Sequence, residues 1–417
     1  MKITPAFLSV VKPARRRLFQ FFAAALDRRR RGALLAVLAL PCFSGQGGTP
    51  PPFPGMAGIY DGLFSSSAIG MATEETAGKI ANLTLNDRGS YSGVVLLGGS
   101  GFGISGNFAP DGSATNVVTN ALDGHVRVEL HVNGNSPPRT ITGLVSGTNS
   151  IVVNGASQAG WASEVVLVAS LTNTANFPGA YTMLIPPAAD SDGTNSPLGY
   201  GHARLTNTLR TSSAPAAVTI IGLLADWSSI GTTMRIREDN GLPIYLNYYN
   251  TPQPGMLFGM LNLVSNPPYV PSGNLTWIRK AGRPGMFTNG FTNNYPAVLV
   301  SPWSNSVPLS NVIAGNQLVL SGGGLTTPLT YSVKLDGTNL ALAETSGSTN
   351  HASGYVNPDS GHLTITFTND RKVTVTGKGD LLQNRNVGPV LGGGFFIVGP
   401  QATPTNSGSI SLLSPAP

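Results

Sequence analysis

The chain has 417 residues, of which 41% are hydrophobic and only 11% are charged, and it contains 52 glycines and 32 prolines. Its formal net charge of +6 arises at its beginning, because residues 1–44 hold nine of the 25 basic residues and one of the 19 acidic residues. The 16 basic and 18 acidic residues that follow lack the basic surplus that phosphate neutralisation needs. We therefore expect no nucleic-acid partner.

Residues 1–44 have the order of an export signal. Four arginines at 28–31 precede an apolar run at 32–40 (GALLAVLAL), and small residues follow up to Ser44. This order is typical of a bacterial secretory signal peptide, and the apolar run is too short for a spanning helix. The sequence predicts an exported protein, extracellular, periplasmic or on the cell surface, without a spanning segment in its mature form.

Two further patterns leave the export route open. Residues 15–19 (RRRLF) resemble a twin-arginine signal, and residues 38–42 resemble a lipoprotein box in which proline precedes Cys42. Cys42 is the only cysteine, so the part after the signal has neither a disulfide nor a cysteine-based metal or catalytic site.

The rest of the chain divides into segments that begin alike. After a Pro/Gly linker at 45–54 (GQGGTPPPFP), a Pro-Gly pair opens three long segments at Pro54, Pro178 and Pro284. Such self-similarity predicts repeated modules. We expect β modules at 55–170, 171–281 and 282–413, the third of which could complete the second, and a tail at 414–417.

Alternating apolar residues and turn residues predict short antiparallel strands throughout these segments. Asp-Gly and Asn-Gly pairs suit the positive φ angles of hairpin turns. The fold class is therefore all-β, with two to three antiparallel barrel or sandwich-like modules in tandem. The clearest strands are expected at 81–85, 91–97, 126–132, 165–169, 218–224, 317–320, 363–367 and 372–376.

The first two segments share three anchors. A tyrosine follows each Pro-Gly start, and a glycine stands 18 residues before a tryptophan in both. Equivalent placement favours a shared core over a ligand contact. The anchors are Tyr60, Gly143 and Trp161 in one copy, and Tyr181, Gly259 and Trp277 in the other.

Several further stretches carry a family resemblance. They are residues 179–186, 275–278, 381–387, 394–397 and 407–412. Together they resemble an uncharacterised β-rich module repeated in large secreted proteins of Verrucomicrobia-type bacteria, over about 178–413 and more loosely 55–170. The resemblance implies export and repetition, and it transfers no activity and no site residues.

Two stretches could bind metal. In residues 190–195, Asp190, Asp192 and Asn195 surround a glycine as in part of a calcium loop, although the closing glutamate is missing; a solvated loop is the alternative. On the predicted strand 126–132 and the residue before it, alternate positions place His125, Arg127, Glu129 and His131 on one face. That face could hold zinc, or it is simply a solvated strand surface.

Aromatic side chains are the other candidate contacts. Trp227, Tyr245, Tyr248 and Tyr249 are expected to be partly exposed and could stack on sugars. The glycine pattern at 101–106 (GFGISG) lies among hairpins, where it does not predict a dinucleotide site, so no cofactor is expected.

No nucleophile elbow or grouped catalytic set occurs in the sequence. The leading hypothesis is an exported, non-enzymatic β-module protein that serves as a structural or interaction component of the cell envelope or extracellular space, with carbohydrate or another envelope protein as its partner. One alternative is a carbohydrate-binding module protein. Another is a secreted hydrolase whose carboxylate pair is assembled in space.

Overall fold

The computed structural model is almost entirely antiparallel β-sheet, which confirms the predicted fold class: strands account for 58% of the chain and helices for 3%. The residues that it describes belong to one compact unit, and the predicted signal peptide lies outside them. They are residues 51–66, 72–120, 124–148, 151–153, 156–208, 217–247, 255–283, 285–295, 297–313, 315–345, 347, 350–399 and 406–414.

The first β region is a nearly closed eight-stranded barrel in the order β4-β3-β2-β1-β10-β7-β6-β5. Its first strand pairs with its last, and Phe53, from the predicted linker, packs on Phe108 in its core. The strands are β1 (Gly58–Ser65), β2 (Gly78–Leu85), β3 (Ser90–Leu97), β4 (Ser100–Asn107), β5 (Ser113–Asn120), β6 (Gly124–Val132), β7 (Thr140–Gly147) and β10 (Trp161–Ala169), with a separate hairpin of β8 (Ile151–Val153) and β9 (Ala156–Gln158).

The second β region consists of two sheets that enclose one apolar core, in the orders β14-β13-β12-β11-β19 and β15-β16-β17-β18. Its first strand also pairs with its last. Residues 291–302, at the start of the third predicted segment, therefore complete the second. The strands are β11 (Ala180–Ile185), β12 (Gly201–Thr208), β13 (Ala217–Leu223), β14 (Ser229–Arg235), β15 (Gly241–Asn247), β16 (Met256–Asn262), β17 (Ser272–Arg279), β18 (Phe291–Tyr295) and β19 (Leu299–Pro302).

The third β region is a closed eight-stranded barrel that follows the short helix α1 (Leu309–Ile313). Apolar side chains from alternate positions of its strands fill the interior. The strands are β20 (Gln317–Gly322), β21 (Leu329–Asp336), β22 (Asn339–Glu344), β23 (Ala352–Val356), β24 (His362–Thr368), β25 (Thr374–Leu381), β26 (Val390–Val398) and β27 (Asn406–Leu413), with a 3-10 turn at Arg385–Val387 between β25 and β26.

The strand β25 begins later than its sequence pattern predicts. The expected strand at 372–376 starts inside a hairpin turn, where Lys372 has a φ of +60°. The Asn369 side chain holds this turn by accepting hydrogen bonds from the backbone N–H groups of Arg371 and Val373. The strand β25 runs from Thr374 to Leu381 and includes Asp380.

The sequence anchors are core residues, but they are not all equivalent in the fold. Tyr60 and Tyr181 are fully buried in the first strands of their regions, and Trp161 and Trp277 are buried as expected. Trp161, however, lies on the closing strand β10, whereas Trp277 lies on β17, two strands before the closing strand β19. The equal 18-residue spacing therefore does not reflect equal strand register.

The sheet of the second region packs on the outside of the third barrel through its strands β11 and β12. The Thr182 hydroxyl donates to the carbonyl oxygen of Leu381 at 2.6 Å, and the Tyr200 amide donates to the carbonyl oxygen of Gly394 at 2.9 Å. A Cβ atom at Gly393 would lie 2.7 Å from Cγ of Tyr200. The glycine thus permits a close approach that any side chain would obstruct.

Candidate functional site

His202, His362 and Asp380 meet where the second β region covers the third barrel. Asp380 lies on β25, opposite His362 of β24 in the strand register, and both side chains point outward from the barrel. His202 extends from the second residue of β12 on the covering sheet. Two sheets that the chain builds separately therefore supply the three side chains.

The strand period explains why a carboxylate is buried here. Along β25, alternate residues enter the barrel core, while the intervening residues Thr374, Thr376, Lys378 and Asp380 face outward. The first two of these are exposed, but Asp380 is only 3% exposed because β11 and β12 cover the end of the strand. Asp380 therefore occupies an outward-facing position of the strand that the neighbouring sheet buries.

The carboxylate of Asp380 bridges the two imidazoles. One oxygen lies 3.3 Å from Nδ1 of His202 and the other lies 3.1 Å from Nδ1 of His362. Burial alone would raise the pKa of Asp380, but the charge and hydrogen bonds of the two histidines outweigh it and lower this pKa. The surroundings of Asp380 therefore favour its ionised form, held between the imidazoles of His202 and His362.

The accessibility of the three side chains differs. The side chains of His202 and Asp380 are each 4% exposed, whereas that of His362 is 34% exposed. His202 packs beside Phe395, and its Nε2 atom is buried without a hydrogen-bond partner among the described residues. The cluster is therefore closed on the β12 side and reached by solvent at His362.

An open groove of about 680 Å³ lies at the same junction. Arg204, two residues beyond His202 on the same face of β12, lines it, and so does Trp303, against which Gly361 packs next to His362. The full lining is Pro178, Gly179, Ala180, Arg204, Pro268, Tyr269, Pro302, Trp303, Ser304, Asn305, Val307, Asp359, Gln383 and Asn384.

The loops around this groove are tied together by amide side chains. Gln383 accepts a hydrogen bond from the Ser304 amide and donates one to the Ser304 carbonyl oxygen, both at 2.8 Å. Asn384 donates to the carbonyl oxygens of Pro268 and Tyr269 at 2.8 and 2.9 Å. Arg204 and the carboxylate of Asp359 form no such contact with the described residues, so they remain available to a ligand.

The predicted aromatic contacts are placed differently from one another. Trp227 is half-buried, with its ring 5.0 Å from that of Phe395 and the Lys378 ammonium 5.6 Å from the Trp227 centroid. Tyr245 is buried rather than exposed, at 8%, because it packs with Ala72 and Met256 between the first and second regions. Tyr248 and Tyr249 lie outside the described residues.

The predicted calcium loop is closed by its own hydrogen bonds. The exposed Asp192 carboxylate accepts from the backbone amides of Thr194 and Asn195 at 2.7 and 2.6 Å, and from the Asn195 side chain at 2.6 Å. These bonds lower the pKa of Asp192 to about 2. Asp190 is exposed nearby, and the arrangement is that of a side-chain-stabilised turn.

The predicted polar face of β6 is confirmed as a strand surface. Val126, Val128 and Leu130 enter the core while His125 and His131 are exposed. Arg127 and Glu129 form an exposed ion pair at 2.6 Å. Within the described part of the chain, the residues that gather as potential metal ligands are instead His202, His362 and Asp380.

Two carboxylates do share a depression on that outer surface. Glu129 and Glu164 both line a space of about 480 Å³. Glu129 lies on β6 and Glu164 on β10, with β7 between these strands. Both residues are opposite Leu144 of β7 in the strand register, so Leu144 separates them. The hydrolase alternative therefore has a carboxylate pair, but on an open outer sheet face.

Comparisons with known proteins identify no relative of this chain. No family model matches the chain, and searches of curated proteins and of solved structures found no match. Among the described residues, no helix combines the length and apolar character of a membrane span. A fold by itself does not determine function, so the cluster and the groove are the features that bear on function.

Sequence reasoning did not identify the His202–His362–Asp380 cluster. His202 comes from a strand far from the other two in the chain, and Asp380 falls beyond the strand predicted at 372–376. A useful signal would have been the pairing of His362 with Asp380 across one hairpin, which requires the correct turn at Asn369.

Proposed function

We propose that this protein is an exported, non-enzymatic interaction protein that binds carbohydrate in the groove between its second and third β regions. The groove is the observation that carries the proposal. Its volume of about 680 Å³ lies within the range of roughly 300–1,000 Å³ that small-ligand sites occupy. That space accommodates a short oligosaccharide.

The chemistry of the groove suits a sugar. Tyr269 and three prolines provide apolar surface, which packs against the C–H faces of pyranose rings. Trp303 also lines the groove but is only 5% exposed, so it supports this surface rather than stacking on a ring. Arg204 and Asp359 provide a donor group and an acceptor group without partners among the described residues. Hydroxyl groups both donate and accept hydrogen bonds, so a sugar can satisfy both side chains.

The groove is also preorganised. The hydrogen bonds of Gln383 and Asn384 fix the segments around Ser304 and Tyr269 to the end of β25. A site held in its binding geometry avoids the entropy cost of ordering its loops when a ligand arrives. This favours recognition of a flexible, polar ligand.

Binding rather than hydrolysis is the better reading of this groove. Glycosidases use two carboxyl groups that flank the scissile bond. Among the residues that line the groove, Asp359 is the single carboxylate. The export signal predicted at 1–44 supports this proposal, since an exported protein would meet envelope or extracellular polysaccharides.

A glycan array followed by calorimetry on the array hits tests this proposal with the full chain. Tyr269→Ala and Asp359→Asn should each weaken binding about fivefold or more, because removing a contact at the centre of a site costs more than about 1 kcal/mol. Tyr355→Ala is the matched control, since Tyr355 is 44% exposed on β23 and does not line the groove. Absence of any glycan ligand, or equal loss in the Tyr355 variant, would contradict the proposal.

A further inference from the structure

We propose that His202, His362 and Asp380 form a binding site for a divalent transition-metal ion of the zinc type. The proposal is independent of the carbohydrate groove, since none of the three residues lines it. It assigns a role to a cluster that unites two β regions at a buried junction.

The donor set indicates the class of metal. Two imidazole nitrogens and one carboxylate oxygen suit Zn²⁺ and its neighbours Co²⁺, Ni²⁺ and Fe²⁺, whereas Mg²⁺ and Ca²⁺ prefer sites built of oxygen ligands. Thiolate chemistry is excluded because Cys42 is the only cysteine and lies in the predicted signal peptide.

The spacing of the donor atoms fits a bound ion. The three ligand atoms all lie within 4.8 Å of one another. Nδ1 of His202 lies 3.3 Å from one carboxylate oxygen of Asp380, and Nδ1 of His362 lies 3.1 Å from the other. With zinc–ligand bonds of about 2.1 Å, the ligands of a tetrahedral ion stand roughly 3.4 Å apart. Small side-chain shifts would therefore admit the ion.

The scaffold holds these donors in place. His362 and Asp380 are paired across one hairpin of a closed barrel, and the hydrogen bonds of Thr182 and Tyr200 fix the covering sheet that carries His202. Metal sites on strands of a rigid sheet are defined more sharply than sites on loops. The ligands therefore converge without a large rearrangement.

Charge and access also favour a cation. The carboxylate of Asp380 is almost fully buried, and the imidazoles that face it from β12 and β24 are neutral when they act as ligands. A divalent ion would compensate that buried negative charge. The partly exposed His362 provides a path from solvent, and three protein ligands leave a fourth position for water or an exogenous ligand.

The proposal can be tested on the untagged full chain after treatment with a chelator. Titration with Co²⁺, followed by visible absorption, should show one ion per chain with the d–d bands of a low-coordinate nitrogen–oxygen site, and Zn²⁺ should displace it. His362→Gln should weaken Co²⁺ binding about 100-fold or more. This substitution changes the most exposed of the three ligands, so it preserves the fold best.

Two histidine controls separate this site from adventitious binding. His351→Gln changes an exposed histidine elsewhere on the third barrel and should leave the titration unchanged. The double substitution His125→Gln and His131→Gln removes the exposed histidines of β6 and should also have no effect. The proposal is overturned if the wild-type chain binds no stoichiometric Co²⁺, if His362→Gln binds it equally well, or if binding is lost only in the β6 double variant.

Discussion

Two outward-facing strand surfaces of this molecule carry histidines beside a carboxylate, and they differ in what covers them. On β6 of the first region, Glu129 stands between His125 and His131 on a surface open to solvent. On β24 and β25 of the third region, His362 stays partly exposed, but Asp380 is covered by β12, which adds His202. The strand pattern is similar, and the environment is opposite.

The difference shows in the pairs that form on each surface. The side chains of Arg127 and Glu129 are 56% and 42% exposed, whereas those of His202 and Asp380 are each 4% exposed. An exposed ion pair contributes about 0–1 kcal/mol, while breaking a buried pair costs about 3–5 kcal/mol because a charge is left without a partner. Coverage by a second β region, rather than the residue types, therefore turns a polar strand face into a candidate site.

The largest effect should follow from removing the covering histidine. We expect His202→Ala to lower the free energy of unfolding by about 3 kcal/mol, because the buried Asp380 carboxylate would lose one of its two hydrogen-bond partners and a cavity would remain beside Phe395. Chemical denaturation followed by tryptophan fluorescence measures this loss. His131→Ala, on the uncovered surface, should change the same quantity by no more than about 0.5 kcal/mol, and equal losses in the two variants would refute the contrast.

A smaller loss of stability should follow from adding a side chain at the close contact between the second β region and the third barrel. Gly393→Val would place a Cβ atom 2.7 Å from Cγ of Tyr200 and 3.1 Å from Cδ1 of Leu184. Overpacking of this kind costs about 1–3 kcal/mol. Gly231→Val is the matched control, because nothing lies within 4 Å of a Cβ atom at that position on β14.

Thermal unfolding of the two glycine variants, followed by circular dichroism, separates these cases. The Gly393 variant should unfold at a lower temperature than the wild type, and the Gly231 variant should not. If both variants unfold like the wild type, the close packing of β11 and β12 on the barrel does not contribute to stability.

The fold was predictable because its determinants are local. Alternation of apolar residues correctly identified the buried face of β6, and turn residues correctly indicated hairpins without intervening helices. The repeat anchors at Tyr60 and Tyr181 were also correctly assigned to the cores. The Trp277 anchor was aligned with Trp161 on spacing alone, and spacing does not show which strand closes a sheet.

The candidate site was not predictable because it depends on contacts between regions. Nothing in the residues around Asp380 indicates that β12 will cover the end of β25, and His202 is 178 positions away from it in the sequence. Tyr245 is a second residue whose environment depends on contacts between regions. It was expected to be partly exposed, but packing between the first and second regions buries it.

The smallest expected effect is on the pH dependence of the free energy of unfolding, which should differ between the buried Asp380 and the open surface of β6. Because the folded protein lowers the pKa of Asp380, the unfolded chain binds its proton first as the pH falls. The stability that this carboxylate contributes is therefore complete above its unfolded pKa of about 3.9 and is lost as the pH falls through the lower folded value. Asp380→Asn removes the titrating group and should make the free energy of unfolding less dependent on pH in this window.

Chemical denaturation in the presence of a chelator, repeated from about pH 6 down to pH 3, would measure that dependence. The free-energy difference between the wild type and Asp380→Asn should be constant at the upper end and should shrink as the pH falls below about 4. Glu129→Gln should differ from the wild type by less than about 1 kcal/mol at every pH, since its ion pair is exposed. A constant difference for Asp380→Asn down to pH 3 would mean that the two histidines do not stabilise the ionised carboxylate, and that burial at this junction does not distinguish it from the open face of β6.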